Sequence, residues 1–171
     1  MVELASRTER RVLDAYRDYD AGGLTRRELE AAVATIVTTA NRRGAGIGDV
    51  ALANILTRRR REAVEPLGID RDEDRDQRRL QGSVATILAY EVEQHRTRLA
   101  RMADAEPKDA VQAAFGQAMQ RRGASGWRRD PEPDACDFCM KLYAGGATYP
   151  ADAVMYRHPG CVCTQQPIFD D

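Results

Sequence analysis

Apolar residues recur at helical spacing through the first 122 residues. Ala5, Val12, Leu13, Tyr16 and Tyr19 place one apolar stripe along residues 3–20, and Gly22-Gly23 closes it. Thr25-Arg26-Arg27-Glu28 is a capping-box sequence: the Thr25 hydroxyl can accept from an orphan backbone N–H while Glu28 reaches back. Leu29, Val33, Ile36, Val37 and Ala40 follow at helical spacing, and Gly44-Ala45-Gly46 is expected to break the run. Asp49 is then expected to cap a third helix carrying Leu52, Ile55 and Leu56, ending before Pro66 or Gly68. The dense mixed charge of Asp70–Arg79 reads as a solvated helical turn or a loop into the next helix. Leu80, Val84, Ile87, Leu88, Val92, Leu99 and Met102 give the longest amphipathic signal, from Arg78 to Met102. Pro107 suits the first turn of a last helix bearing Val111, Ala114, Phe115, Ala118 and Met119, closed by Gly123.

The pattern changes at Gly123-Ala124-Ser125-Gly126. Beyond it lie all four cysteines, the only tryptophan and most of the prolines, with no long helical period. Trp127–Arg129 and Val162–Gln166 have short-strand character, the second expected to pair back on the first, and Cys139–Ala144 can form a short helix. The expected fold is therefore mainly α: an N-terminal helical docking region of about five helices, residues 1–122, then a small zinc-stabilised α+β module, residues 123–171.

Composition narrows the class. The chain has 171 residues, 43% hydrophobic and 31% charged, and no apolar run approaches the ~20 residues of a membrane helix. The charged start MVELASRTERR has no secretory apolar region, so the expectation is a cytosolic product, where cysteines serve as metal ligands or reactive groups more often than as disulfides. Net charge is −1. Residues 123–171 hold Arg128, Arg129, Lys141 and Arg157 against seven acidic side chains, a net of −3 that argues against a nucleic-acid reader. Only Lys108 and Lys141 among the 26 basic residues are lysine, a bias expected of a GC-rich coding sequence.

The chemistry concentrates in Cys136, Cys139, His158, Cys161 and Cys163, spaced C-x2-C, eighteen residues, then H-x2-C-x-C. Two thiolates on one knuckle, completed by ligands from distant sequence, suit a tetrahedral Zn²⁺ that supplies folding energy to a module with little apolar mass. Five candidates compete for about four positions: Cys136, Cys139, then His158 with Cys161 or Cys163. A ligand surplus points to a structural ion, since catalytic zinc keeps an open position. Asp134, Asp137 and Asp152 read as solvated surface, and phosphate-loop, dinucleotide and hydrolase signatures are absent, so no enzyme is expected. Arg58-Arg59-Arg60-Arg61, with Arg42-Arg43, Arg121-Arg122 and Arg128-Arg129, are candidate phosphate contacts, but near helix C-termini the favoured reading is that they complement the macrodipole. His95 lies on an apolar stripe and reads as a packed, hydrogen-bonded residue.

The last fifty residues resemble a known family. Trp127-Arg128-Arg129, then Asp134-Ala135-Cys136-Asp137-Phe138-Cys139-Met140-Lys141-Leu142, then Gly145-Gly146-Ala147-Thr148-Tyr149, look like the C-terminal domain of the MuF-like minor head proteins of tailed phages. His158-Pro159-Gly160-Cys161-Val162-Cys163-Thr164 and Pro167-Ile168-Phe169 fit the same pattern, and the actinobacteriophage branch is the most similar. Val162 departs from it, because the family commonly has arginine between the two cysteines. The resemblance implies a minor capsid protein that is assembled in the host cytoplasm and sits in the virion, inside the head near the portal. Its implied partners are the portal protein and the major capsid or scaffolding protein, with weak contact to packaged DNA, no membrane and no small-molecule substrate. Its implied roles are head morphogenesis and genome packaging or delivery. The alternatives are a zinc-containing nucleic-acid-binding protein using Arg58–Arg61, and a zinc-supported nuclease of the His-metal type.

Overall fold

Four long helices precede a three-stranded sheet in the computed structural model, which describes residues 1–158 and 160–170. The order is α1 (Val2–Asp20), α2 (Arg26–Arg60), α3 (Glu73–Ile87), α4 (Val92–Arg121), β1 (Gly126–Asp130), α5 (Asp137–Tyr143), β2 (Thr148–Pro150) and β3 (Thr164–Ile168). The mainly α class with a small α+β terminal part is as expected. Pro159 of the terminal motif and Asp171 lie outside the described residues.

Local signals set several ends. After α1 the backbone turns at Gly22, φ +78°, a conformation glycine adopts without steric cost. Before α2 the capping box is formed: Glu28 Oε2 accepts from the Thr25 N–H and hydroxyl, both at 2.7 Å, and the Glu28 N–H donates to Thr25 Oγ1 at 3.3 Å. The Thr25 N–H first, then its hydroxyl, hold the Glu28 carboxyl below its usual range. This cap is therefore fully present above the ordinary glutamate range and is lost as pH falls through the lowered value. The charged run after Asp70 is the start of α3. Asp72 caps it, accepting from the Arg75 N–H at 2.9 Å, and Glu73, Asp74 and Asp76 fill the first turn, where negative charge complements the dipole.

Other boundaries differ from the sequence expectation. Gly44-Ala45-Gly46 does not break the chain; α2 runs through it. Nearby Gly48 shows what a glycine there can do: a Cβ built on it would sit 2.2 Å from the Val111 carbonyl oxygen, so its bare backbone permits a close helix crossing. Asp49 is not an N-cap either. It sits buried inside α2 and accepts from the Leu67 and Ile69 N–H groups, each at 3.0 Å, pinning the loop that follows the helix. Likewise Pro107 starts no helix but lies within α4, buried. Asp104 and Lys108 bracket it with an ion pair of 2.7 Å across the same turn, which partly offsets the hydrogen bond the proline cannot make. The real interruption falls at residues 88–91, where Ala89 and Tyr90 donate back to Thr86 and Ile87.

The chain divides into two compact units. The first, Met1–Ala45 with Asp70–Ala110, has a core of Val12, Leu29, Val33, Val37, Leu80, Val84 and Leu99, all fully buried. A polar network runs from the buried Asn41 and Asp76 to the surface: Asn41 donates to Glu106 at 3.0 Å and to Asp76 at 3.4 Å, Arg79 forks onto Glu106, and Arg71 forks onto Asp76. Burial alone would raise the Asp76 carboxyl, but the Arg71 hydrogen bonds and charge outweigh it and hold the group low. His95 is the packed histidine the sequence suggests. Its Nε2 donates to the Tyr90 carbonyl at 2.9 Å, and its Nδ1 lies 3.4 Å from the Tyr16 hydroxyl.

The second unit comprises Gly46–Ile69 and Val111–Asp171, and so includes residues 123–171. Its antiparallel sheet has the order β2-β1-β3; β3 pairs with β1 as expected, while β2 is an addition. Leu52, Leu56, Met119 and Trp127 are its largest fully buried side chains among the described residues. Trp127 stacks on its cross-strand partner Tyr149 at 4.5 Å and donates its indole N–H to the Ala153 carbonyl at 3.2 Å.

The two glycines of α2 predict opposite outcomes. Gly48→Ala forces helix backbones apart and should cost roughly 1–3 kcal/mol. A Cβ on Gly46 meets nothing within 4 Å, so Gly46→Ala should stabilise by up to about 1 kcal/mol. Denaturant titration of the two variants tests this, and equal effects would refute the close-crossing account.

Candidate metal centre

Short elements with strong local turns carry the five soft ligands. Cys136 is the N-cap residue of α5, in an extended conformation (φ −67°, ψ 162°), so its thiol sits beside the free N–H groups of the first turn. Cys139, one turn on, is buried at 1% exposure. The helix stops at Ala144, φ 45°, and Gly145 and Gly146 continue with positive φ into β2. There the Tyr149 hydroxyl donates back to the Leu142 carbonyl. The Cys161 N–H donates to the His158 carbonyl at 3.0 Å, a tight turn that brings the H-x2-C end together.

All five predicted ligands meet around Cys139. His158 Nε2 lies 3.2 Å from Cys136 Sγ and 3.2 Å from Cys139 Sγ, and Cys139 Sγ lies 3.6 Å from Cys161 Sγ. Ligand atoms of Cys136, Cys139 and His158 are mutually within 4.8 Å, as are those of Cys139, Cys161 and Cys163. Cys139 belongs to both groups. Around a tetrahedral ion with sulfur bonds of about 2.3 Å, neighbouring sulfurs stand about 3.8 Å apart and a sulfur–nitrogen pair about 3.5 Å. These three separations are close to such edges, the two groups share Cys139 alone, and the donor set is that of a soft, tetrahedral ion. The cluster can hold a metal.

The thiols differ in electrostatics. The Cys139 N–H, first, and the Phe138 N–H lower the Cys136 thiol, an arrangement that readies it as a thiolate. Burial would raise Cys161, but the Cys163 N–H and the neighbouring thiols outweigh it and bring the group below its ordinary value. Cys139 is pushed far up, by burial first and then by the Cys163 and Cys161 thiols. Several thiolates cannot share this buried space without a cation among them. That is the physical case for a metal.

Around the sulfurs, Glu132 accepts from the Val162 N–H at 3.3 Å, Gln112 donates to the Cys163 carbonyl at 3.3 Å, and Arg157 donates to the Cys161 carbonyl. Arg129 reaches Cys139 Sγ from β1 at 3.8 Å and also donates to the Tyr156 carbonyl. In sequence Arg129 was grouped with the arginine pairs. Strand alternation is the signal that separates it: with Trp127 inside, Arg129 two residues on must face inside as well. The other arginines are elsewhere. Arg58–Arg61 are exposed at the end of α2, with Arg59 donating to the Phe169 carbonyl at 3.0 Å. Arg42 pairs with Glu73, and Arg122 donates to the Glu65 carbonyl.

With metal stripped by a chelator, iodoacetamide should modify Cys136 first and Cys139 last, read by mass spectrometry of timed samples. Cys136 is exposed with a lowered thiol, and Cys139 is buried with a raised one. Equal labelling of the two would contradict this ordering.

The family model of the VG15 protein matches residues 1–171, and the chain belongs to that family. It is therefore a phage-encoded protein. Nothing among curated proteins or solved structures matches it. Among the described residues no helix is long and apolar enough to cross a membrane.

Proposed function

We propose that this VG15-family chain is a structural, non-enzymatic minor capsid protein of a tailed phage, held at the portal inside the head and clamped by one Zn²⁺. Its role would be head morphogenesis, extending to genome packaging or delivery. The observation that carries the clamp is the convergence of five soft ligands on Cys139, in a part of the chain built from three short strands and a seven-residue helix. Such a module has little apolar burial of its own, and thiolate and imidazole bonds replace it. The capsid assignment draws on the phage family and on the likeness of residues 127–169 to MuF-like head proteins. Helices α1–α4 would supply the docking element toward portal, major capsid or scaffolding protein.

The ligands in this reading are Cys136, Cys139, His158 and Cys161, with Cys163 outside. One feature favours Cys161: its sulfur lies 3.6 Å from that of Cys139, close to a tetrahedral edge. Four protein ligands leave no open position for substrate, which is the ground for a structural role.

Purified particles decide the capsid reading: the chain should be present in far fewer copies than the main shell protein and should co-purify with a portal oligomer. Its absence from particles ends that reading. Elemental analysis of the isolated protein should find about one zinc per chain. Cys139→Ser should abolish uptake and Cys163→Ser should retain it; the reverse order would overturn the ligand set. A second reading, contact with packaged DNA, rests on the exposure of Arg58–Arg61. A gel-shift series against salt separates it, because phosphate contact must shift duplex DNA at ~50 mM salt and fade as salt rises.

A further inference from the structure

We propose that Arg129 is the built-in countercharge of the metal–thiolate centre, a positioning residue that acts through Cys139. This rests on the three-thiolate, one-imidazole ligand set above. The guanidinium is only 3% exposed, and among the described residues no carboxylate lies within the 4.0 Å of an ion pair. Its Nη1 donates to Cys139 Sγ at 3.8 Å, its Nη2 donates to the Tyr156 carbonyl, and its Nε has no partner. A buried guanidinium cannot shed its proton, so it requires a negative neighbour. The thiolate cluster is the one this site provides.

The placement is rigid. Arg129 sits on β1, the central strand, opposite the buried Gln165, whereas its neighbour Arg128 faces solvent opposite Gln166. A divalent ion with three thiolates and a neutral imidazole carries one net negative charge, which a single guanidinium balances. Four thiolates would carry two. Arg157, the other guanidinium nearby, donates to the Cys161 carbonyl and its charge also favours the Cys161 thiolate, whereas Arg129 is hydrogen-bonded to a sulfur itself. The Arg129 guanidinium also donates a hydrogen bond to the sulfur shared by both ligand groups, which orients that sulfur toward the other ligands.

The test uses the full chain loaded with Zn²⁺ or Co²⁺ and two variants: Arg129→Lys keeps the charge, and Arg129→Gln keeps hydrogen-bonding capacity without it. Competition against a chelator should show R129Q weakened by about 10–100-fold, as outer-shell substitutions do, and R129K by only a few-fold. In the Co²⁺ form, R129Q should move the sulfur-to-cobalt absorption to longer wavelength, because losing the positive charge raises the energy of the sulfur lone pairs. R129K should leave that band in place. A Gln variant that fails to fold while the Lys variant folds and binds is the same result in stronger form. The proposal is overturned if R129Q binds as wild type does, or if both variants lose affinity equally with an unmoved band. Wild-type protein that takes up no stoichiometric metal sinks the ligand set itself, a distinguishable failure.

Discussion

Cys139 cannot be an ordinary buried thiol. Its sulfur stands within reach of His158, Cys136, Cys161 and Cys163 while almost fully screened from water. Neutral thiols would leave it a polar knot without strong bonds, and thiolates would repel one another in a low dielectric. A cation resolves both problems, and the surrounding folding makes sense as preparation for one. The N-terminal turn of α5, the C-x-C turn and the H-x2-C turn each point N–H groups or ligands at the same spot.

The rest of the terminal part depends on that point. β2 is three residues long and β3 only five, too little sheet to stand alone in water. Trp127 anchors one end by stacking on Tyr149 and bonding the Ala153 carbonyl, while Arg129 ties the same strand to Cys139. Gln112 of α4 reaches the Cys163 carbonyl, so the ligand loop is braced by a helix as well as by the sheet.

The helical part is stabilised differently. Val12, Leu29, Val33, Leu80 and Leu99 form an apolar core, and in the same unit Asn41, Asp76 and Glu106 are held by the partly exposed Arg71 and Arg79. Buried ionic groups of this kind cost desolvation and return it only when every partner is in place. Such pairs favour one register of α2 against α3 and α4 over slipped alternatives.

Helix existence and the cysteine–histidine cluster were legible in the sequence because both rest on local rules. Apolar spacing marked the stripes of α1 to α4, the Thr25–Glu28 box marked a real start, and the cysteine spacing marked the cluster. Glycine and proline misled, since Gly46 and Pro107 carry the same local signal whether they end a helix or lie within one. What decided was tertiary: burial of both flanks carried α4 through Pro107, and Gly48 shows how α2 uses a missing Cβ where the Val111 backbone comes close. Asp49 read as a cap because its partners, the Leu67 and Ile69 N–H groups, lie some twenty residues away. Arg129 was hidden among surface arginines for the same reason. Sequence fixes what a side chain is able to bond; only the folded neighbourhood fixes whether a guanidinium meets water or a sulfur.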